Sequence, residues 1–270
     1  RGRPRSKSPR AVIAEVQDLV ENGFIEVVLT GINLAQYGKD NGASLAGLLW
    51  RLAELPKLKR IRLSSLDQEG ITPELMEFFR ESEKACPYFH IPLQSGDDGV
   101  LKRMNRGYTA AEYRERVESI KESVPKATLG ADVMIGFPGE TEERFERTYR
   151  LVEEVGFLRL HVFRYSPRPG TAAAHFPDQV PERIKLERAQ RLRELGERLA
   201  RRVKRAYIGR RLWVLVEERA ADGRWRGWSE NYIDVHIDGP GRELRPGELV
   251  EVEALELSGD HLIAISKSGP

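Results

Sequence analysis

Chemistry in this sequence is to be sought where its predicted strands end. Thr30-Gly31-Ile32-Asn33 follow EVVL, Ser64-Ser65 follow RIRL, and Gln94-Ser95-Gly96 follow FHIPL. Asp132 sits inside LGADVMIG, ahead of Gly136-Phe137-Pro138-Gly139-Glu140, and Tyr165-Ser166-Pro167 follow HVFR. In parallel α/β folds ligands bind at the carboxyl ends of the strands. This rim offers hydroxyls, amides and close backbone approach at glycine, but no His, Cys or paired carboxylate that stands out as a general acid–base couple. Such a rim suits a nucleoside-like ligand held by hydrogen bonds, with the chemistry supplied by a cofactor. His90, between Phe89 and Ile91, and His161, between Leu160 and Val162, read as histidines satisfied inside a barrel, and no residues are assigned to a metal. Asp132 differs, because a carboxylate in an apolar run must find a partner; a buried Lys or Arg and a bound ligand are equal alternatives. The single cysteine, Cys86, reads as a packing thiol. One thiol cannot form an internal disulfide, nor by itself hold an iron–sulfur cluster or a structural zinc.

The elements that must position these residues alternate over 8–205. Helices are predicted at 8–22 (Ser8 as cap, Pro9 in the first turn), 44–54, 72–83 (Thr72, Pro73), 109–123 (Thr109 with Glu112), 141–155 and 181–205. Strands are predicted at 26–32, 60–66, 89–96, within 127–140, and at 159–167. Strands and helices alternating at this spacing form parallel βαβ units. Five strands are too few for an eight-stranded barrel, and the pattern begins on a helix. The fold class is therefore α/β, a partial (β/α) barrel that lacks its first strand. After about residue 206 the pattern changes to short β-like runs punctuated at AADG (220–223), GPG (239–241) and RPGE (245–248). These predict a small five-stranded antiparallel barrel. The expected domains are 1–206 and 207–270.

The chain has 270 residues, 40% hydrophobic and 32% charged, enough for a sizeable core in a soluble protein. No run is long and apolar enough for a membrane helix, and no apolar region of a signal peptide follows the basic start, so a cytoplasmic location is expected. The net charge is only +2, but residues 1–10 carry five basic residues and no acid, and 181–205 carry ten basic and four acidic residues. Residues 207–270 carry eight basic and twelve acidic residues. The two basic segments read either as a solvated helix face plus a basic tail or as a polyanion contact.

Taken together, VVLTGINLAQYGKD, RIRLSSLD, FHIPLQSGDDGVLKRMNRGYT, GADVMIGFPGETEERFERTY and RLHVFRYSPRPGTAA, with RGRPRSKSP at the start, resemble the methylthiotransferases, a branch of the radical S-adenosylmethionine (SAM) enzymes. LTGINLAQYG and RLSSLD look most like the subgroup acting on N6-threonylcarbamoyladenosine beside the tRNA anticodon, and the tail 207–267 looks like a TRAM domain, an RNA-binding β-barrel. The resemblance implies a radical SAM barrel that cleaves SAM on a [4Fe-4S] cluster held by a CxxxCxxC loop. It also implies a second [4Fe-4S] cluster in an upstream domain, an electron donor and a sulfur source. In the family that loop lies just before the RGRPRS-like segment, so the chain beginning at Arg1 is expected to lack the cluster ligands and to be inactive alone.

By resemblance, Thr30, Gly31 and Asn33 meet the SAM amino group, and Gln94 and Ser95 its ribose. Asp132, Gly136 and Glu140 belong to the next strand motif, and Phe163, Arg164 and Tyr165 to the strand bordering the adenine. Asn33 stands where many radical SAM enzymes have glutamate. The partner implied is the tRNA anticodon stem-loop, met by Arg191, Arg198, Arg201, Arg202 and Arg205 of the basic helix and by an aromatic face of Trp213, Trp225, Trp228 and Tyr232. The alternatives are a methylthiotransferase of ribosomal protein S12 and a non-catalytic RNA-binding module.

Overall fold

The computed structural model describes residues 5–238 and 243–266. Arg1 and Arg3 of the basic start, and the Gly-Pro-Gly turn at 239–241, lie outside the described residues. The chain divides into two compact units, one of residues 1–89, 123–128 and 204–270, the other of 90–122 and 129–203.

In the first unit, helix α1 (Pro9–Glu21) starts where Ser8 accepts the Ala11 amide and Pro9 occupies the first turn. It leads into β1 (Glu26–Leu29), which pairs in parallel with β2 (Arg60–Leu63), Val27 opposite Ile61. The helices α2 (Leu45–Ala53) and α3 (Pro73–Glu81) are capped by Ser44 and Thr72 and bury Leu49, Leu52, Leu75 and Phe78. Trp50 meets Phe78 edge to face at 5.1 Å. The Lys84 ammonium binds the carbonyls of Ala53 and Leu55 just past the end of α2.

The same unit contains a closed barrel of β6 (Arg211–Arg219), β7 (Trp225–Ser229), β8 (Asp234–Asp238), β9 (Leu249–Ser258) and β10 (His261–Ser266). Alternation buries Leu212, Val214 and Val216 of β6 and Val250, Val252 and Ala254 of β9. The strand order is β10-β8-β7-β6-β9. Four ladders are antiparallel as expected, and the seam between β10 and β8 is parallel, Leu262 opposite Val235. A parallel pair cannot be joined by a tight hairpin, so β9 returns to β6 and β10 comes back to close the cylinder. This is the five-stranded Greek-key plan of OB-like barrels.

Two buried arginines tie the β1–β2 ribbon to this barrel. Arg62 grips Glu26 through Nε (3.1 Å) and Nη2 (3.3 Å) and donates to the carbonyls of Glu230 (3.1 Å) and Ser229 (3.2 Å). Arg60 shares Glu26 at 3.3 Å and donates to the carbonyls of Trp228 and Trp213. In sequence RIRL alternates like a strand with one solvated face, yet the arginine side chains are 4% and 3% exposed. They are tolerated there because each N–H that leaves water finds a carboxylate or a carbonyl.

The second unit is built on the sheet β3-β4-β5, formed by β3 (Tyr88–His90), β4 (Thr128–Ile135) and β5 (Arg159–Arg164). The β4–β5 ladder is parallel, Asp132 opposite His161 and Met134 opposite Phe163. Helices α4 (Asp98–Arg103), α5 (Ala110–Ser123), α6 (Glu142–Val155) and α7 (Glu182–Arg205) accompany it. Thr109 and Glu112 form the expected reciprocal cap of α5, and Gly156 ends α6 in the left-handed conformation that glycine adopts without cost. Tyr113 of α5 is fully buried and donates its hydroxyl to the Ile91 carbonyl at 2.8 Å. Parallel βαβ order and a C-terminal five-stranded barrel thus stand as the sequence predicts. Among the described residues no helix is long and apolar enough to cross a membrane.

Candidate functional site

In the first unit β1 ends at Leu29, and the chain leaves it through Thr30, Gly31, Ile32 and Asn33, all exposed. These residues line an open, mainly apolar groove of about 1110 Å³, together with α1, Val28 and Tyr37. The Asn33 amide donates to Asp67 at 2.9 Å, which fixes its side chain and leaves its oxygen as an acceptor. The Tyr37 hydroxyl is buried with no hydrogen-bond partner among the described residues. An orphaned buried hydroxyl beside a groove is a place for a ligand's polar atom.

In the second unit the strand ends are more tightly committed. Gln94 follows β3 in the left-handed region at φ 62°, held by its amide on the Asp132 carbonyl (2.8 Å) and its carbonyl on the Met134 amide (2.9 Å). A non-glycine residue is kept in that region by its surroundings, a kind of strain that gathers at functional sites. Ser95 is completely buried and spends its hydroxyl inside the protein, against Thr148 Oγ1 (3.3 Å) and the Asp97 amide (3.2 Å). Gly136, at φ 74°, does allow a close approach, but what approaches is Lys185, whose Cγ lies 2.3 Å from where a Cβ would stand. Lys185 carries its charge to the Tyr165 carbonyl at 3.0 Å. Glu140 is buried; Oε1 accepts from the Gly136 amide (2.9 Å) and from Arg188 (3.0 Å), while Oε2 has no hydrogen-bond partner among the described residues. Burial raises its pKa above the usual carboxylate value, outweighing Gly136 and Arg188.

Among the described residues, the ion-pair partners of Asp132 are two histidines, not a lysine or arginine. Its Oδ1 lies 3.1 Å from His90 Nε2 and 3.2 Å from His161 Nδ1. Burial pushes its pKa up, but the hydrogen bonds and charges of the two histidines outweigh burial and hold it below the usual value. On β5, Phe163 is 52% exposed, Arg164 pairs with Glu182, and Tyr165 is buried beside Phe137 and Val100. The structure therefore gathers Thr30, Gly31 and Asn33 on one groove, and separately Asp132 with two histidines on one sheet face. Gly136, Glu140 and Tyr165 lie within the packing around α7.

The arginines of α7 divide in the same way. Arg198, Arg201, Arg202 and Arg205 lie on its exposed face, while Arg191 is engaged by Glu142 and Glu146. Arg201 has Glu197 at 3.6 Å, and Arg198 donates to the Tyr149 hydroxyl at 3.0 Å. Of the barrel aromatics, Trp225 is buried under Arg219 at 4.5 Å. Trp213 is 48% exposed, and Trp228 donates to Glu217 at 3.0 Å and packs on Tyr232 at 5.1 Å. Trp225, expected on an aromatic face, is thus buried in the barrel. Sequence reasoning did not find Tyr37, Lys185 or Arg188. For the last two the signal was present: Lys185 and Arg188 interrupt the acidic and basic alternation of α7 on its apolar side, with Ala189 and Leu192.

The radical SAM superfamily profile matches residues 1–152. The threonylcarbamoyladenosine tRNA methylthiotransferase MtaB of Thermotoga maritima is 38% identical over 97% of this chain and 59% of its own length. The tRNA-2-methylthio-N(6)-dimethylallyladenosine synthase of Protochlamydia amoebophila is 40% identical over 84% of this chain and 53% of its own length. The chain thus spans little more than half the length of these relatives. Among solved structures, the radical S-adenosylmethionine methyltransferase TsrM from Kitasatospora setae aligns with a TM-score of 0.51 at 14% identity, over 62% of this chain and 31% of that one, a likeness of fold. By the profile that covers more than half of its residues, this chain belongs to the radical SAM superfamily.

Proposed function

We propose that this chain is the barrel and C-terminal module of a tRNA methylthiotransferase that installs a methylthio group at C2 of N6-threonylcarbamoyladenosine at position 37, beside the anticodon. The observation that carries the reading is the 38% identity with the Thermotoga relative across 97% of the chain. We take 1–206 as the radical SAM barrel and 207–270 as a TRAM-like module, working in the cytoplasm with an electron donor and a sulfur source. The dimethylallyladenosine enzyme of Protochlamydia, at 40% identity, supports a second reading in which the target adenosine bears an apolar N6 group.

The groove at the end of β1 fits a SAM-sized molecule. Its volume lies just above the usual range of small-molecule sites, and Tyr37, whose buried hydroxyl has no hydrogen-bond partner among the described residues, is one of its lining residues. Thr30, Gly31 and Asn33 would hold the amino-acid end there, through a hydroxyl, a backbone amide and an acceptor oxygen. When bound, SAM supplies the hydrogen-abstracting chemistry and the methyl group. An iron–sulfur cluster does not fit the residues of this chain. Its only cysteine, Cys86, is buried, and burial pushes the thiol up to about 12, the opposite of what a thiolate ligand requires. No step is assigned to a cluster on these residues, and iron and sulfide analysis of the chain after anaerobic reconstitution is expected to find no stoichiometric [4Fe-4S] cluster.

On the RNA side, Arg198, Arg201, Arg202 and Arg205 offer phosphate contacts along one exposed helix face. The test is a salt titration of an anticodon stem-loop against the wild type and Arg201→Glu/Arg202→Glu. Loss of two phosphate contacts lowers the slope of log K against log salt by about 2. An unchanged slope refutes the proposed face, and preferential binding of an S12 loop peptide refutes the tRNA reading. Stem-loops carrying the two N6 groups decide between threonylcarbamoyl and dimethylallyl targets.

A further inference from the structure

On one face of the sheet β3-β4-β5, three strands each contribute one metal-ligating side chain: His90, Asp132 and His161. Their donor atoms all lie within 4.8 Å of one another. Both histidine nitrogens point at the same carboxylate oxygen, at 3.1 and 3.2 Å. That spacing is what two donors subtend when each lies about 2.1 Å from one cation, at roughly a right angle. His161 and Asp132 are cross-strand partners in a parallel ladder, so the backbone fixes their separation. Among the described residues, the ion pairs of Asp132 are with these two histidines. The cluster is buried at His90 and open at His161, whose side chain is 53% exposed.

We propose that His90, Asp132 and His161 form a site for one divalent transition-metal ion, of the Zn²⁺ or Fe²⁺ class. Two imidazoles and one carboxylate suit such borderline cations; Mg²⁺ and Ca²⁺ favour all-oxygen shells. Three protein ligands on one face leave the opposite positions open to water or to an oxygen donor of a bound molecule. The site needs no cysteine; it shares Asp132 with the strand motif expected to border SAM, and its test reads metal uptake by the chain without SAM.

The probe is Co²⁺, titrated into the chelator-treated, tag-free chain and followed by its visible d–d absorption. A second cluster, Asp222, His236 and His261 in the C-terminal barrel, also brings its donor atoms within 4.8 Å and is the internal control. One equivalent of Co²⁺ is expected, displaced by Zn²⁺, with affinity reduced at least tenfold in His161→Gln and in Asp132→Asn and retained in His261→Gln. His161 is half exposed, so His161→Gln carries the test if Asp132→Asn does not fold. Absence of micromolar uptake overturns the proposal. So does uptake indifferent to His161→Gln, uptake lost only in His261→Gln, or a thiolate charge-transfer band that would place the ion at Cys86.

Discussion

Replacing Arg62 by methionine keeps an apolar stem of similar length and removes the charge at the centre of the link between the β1–β2 ribbon and the barrel. Four polar contacts go with it: both oxygens of Glu26 and the carbonyls of Ser229 and Glu230. So does the guanidinium packed 4.5 Å over the Tyr232 ring. The side chains of Arg62 and Glu26 are only 3% and 13% exposed, so water cannot fully replace what is lost. Breaking a buried ion pair costs about 3–5 kcal/mol, and each carbonyl left without a donor about 1–3 kcal/mol. The terms overlap, and Arg60 still holds Glu26 at 3.3 Å, so the expected loss is about 4 kcal/mol. Urea unfolding followed by tryptophan fluorescence reads it, since Trp213, Trp225 and Trp228 all lie in the barrel. Glu26→Gln combined with Arg62→Met should cost less than the sum of the single changes by at least about 1 kcal/mol, because the partners are coupled. A single-variant loss below about 1 kcal/mol, or strict additivity, would refute the reasoning.

Cys86 should resist alkylation by iodoacetamide at pH 8.5 in the folded chain and react once urea unfolds it, because burial holds the thiol near 12. Burial, and then the neighbouring His236 stacked at 3.7 Å, hold the His261 pKa below its usual 6.5. The unfolded chain therefore takes up that proton first. The stability from this group is present above pH 6.5 and lost as the pH falls through the lower folded value, and His261→Gln should flatten the pH dependence of the urea midpoint below 6.5. Gly136→Ala should lower stability by more than about 1 kcal/mol in the same assay, since it strains a positive φ and forces the Lys185 stem away; an unchanged midpoint would show that the turn relaxes freely.

The local elements were legible because their signals are local. Ser8 with Pro9, Thr72 with Pro73, Thr109 with Glu112 and Thr141 mark helix starts that the structure reproduces within a residue or two. Strand ends were overextended. The run 26–32 ends at Leu29 and 60–66 at Leu63, because apolar residues recur in the loop after the ladder stops. Helix α4 was missed, since six residues are too few to establish a period, although Asp97 caps it. The site was half legible. Thr30, Gly31 and Asn33 emerged from their place at a strand end. The partners of Asp132 lie 42 and 29 residues away on other strands, and nothing in LGADVMIG names them. The partners of Arg60 and Arg62 are hidden for the same reason, as their acceptors include carbonyls about 150 to 170 residues downstream.

The parallel seam of the C-terminal barrel sets an order of assembly. Strands β6, β7 and β8 can fold as a local meander, but β9 must cross back to β6, and β10 must enter between β8 and β9. Until β10 arrives, β8 and β9 each present an unpaired row of backbone donors and acceptors, the kind of edge that recruits other chains. During synthesis this window lasts until His261–Ser266 are made, so the last strand of the barrel guards all the others against misassociation. A chain that ends before β10 should be a seed for aggregates rather than a smaller version of the fold.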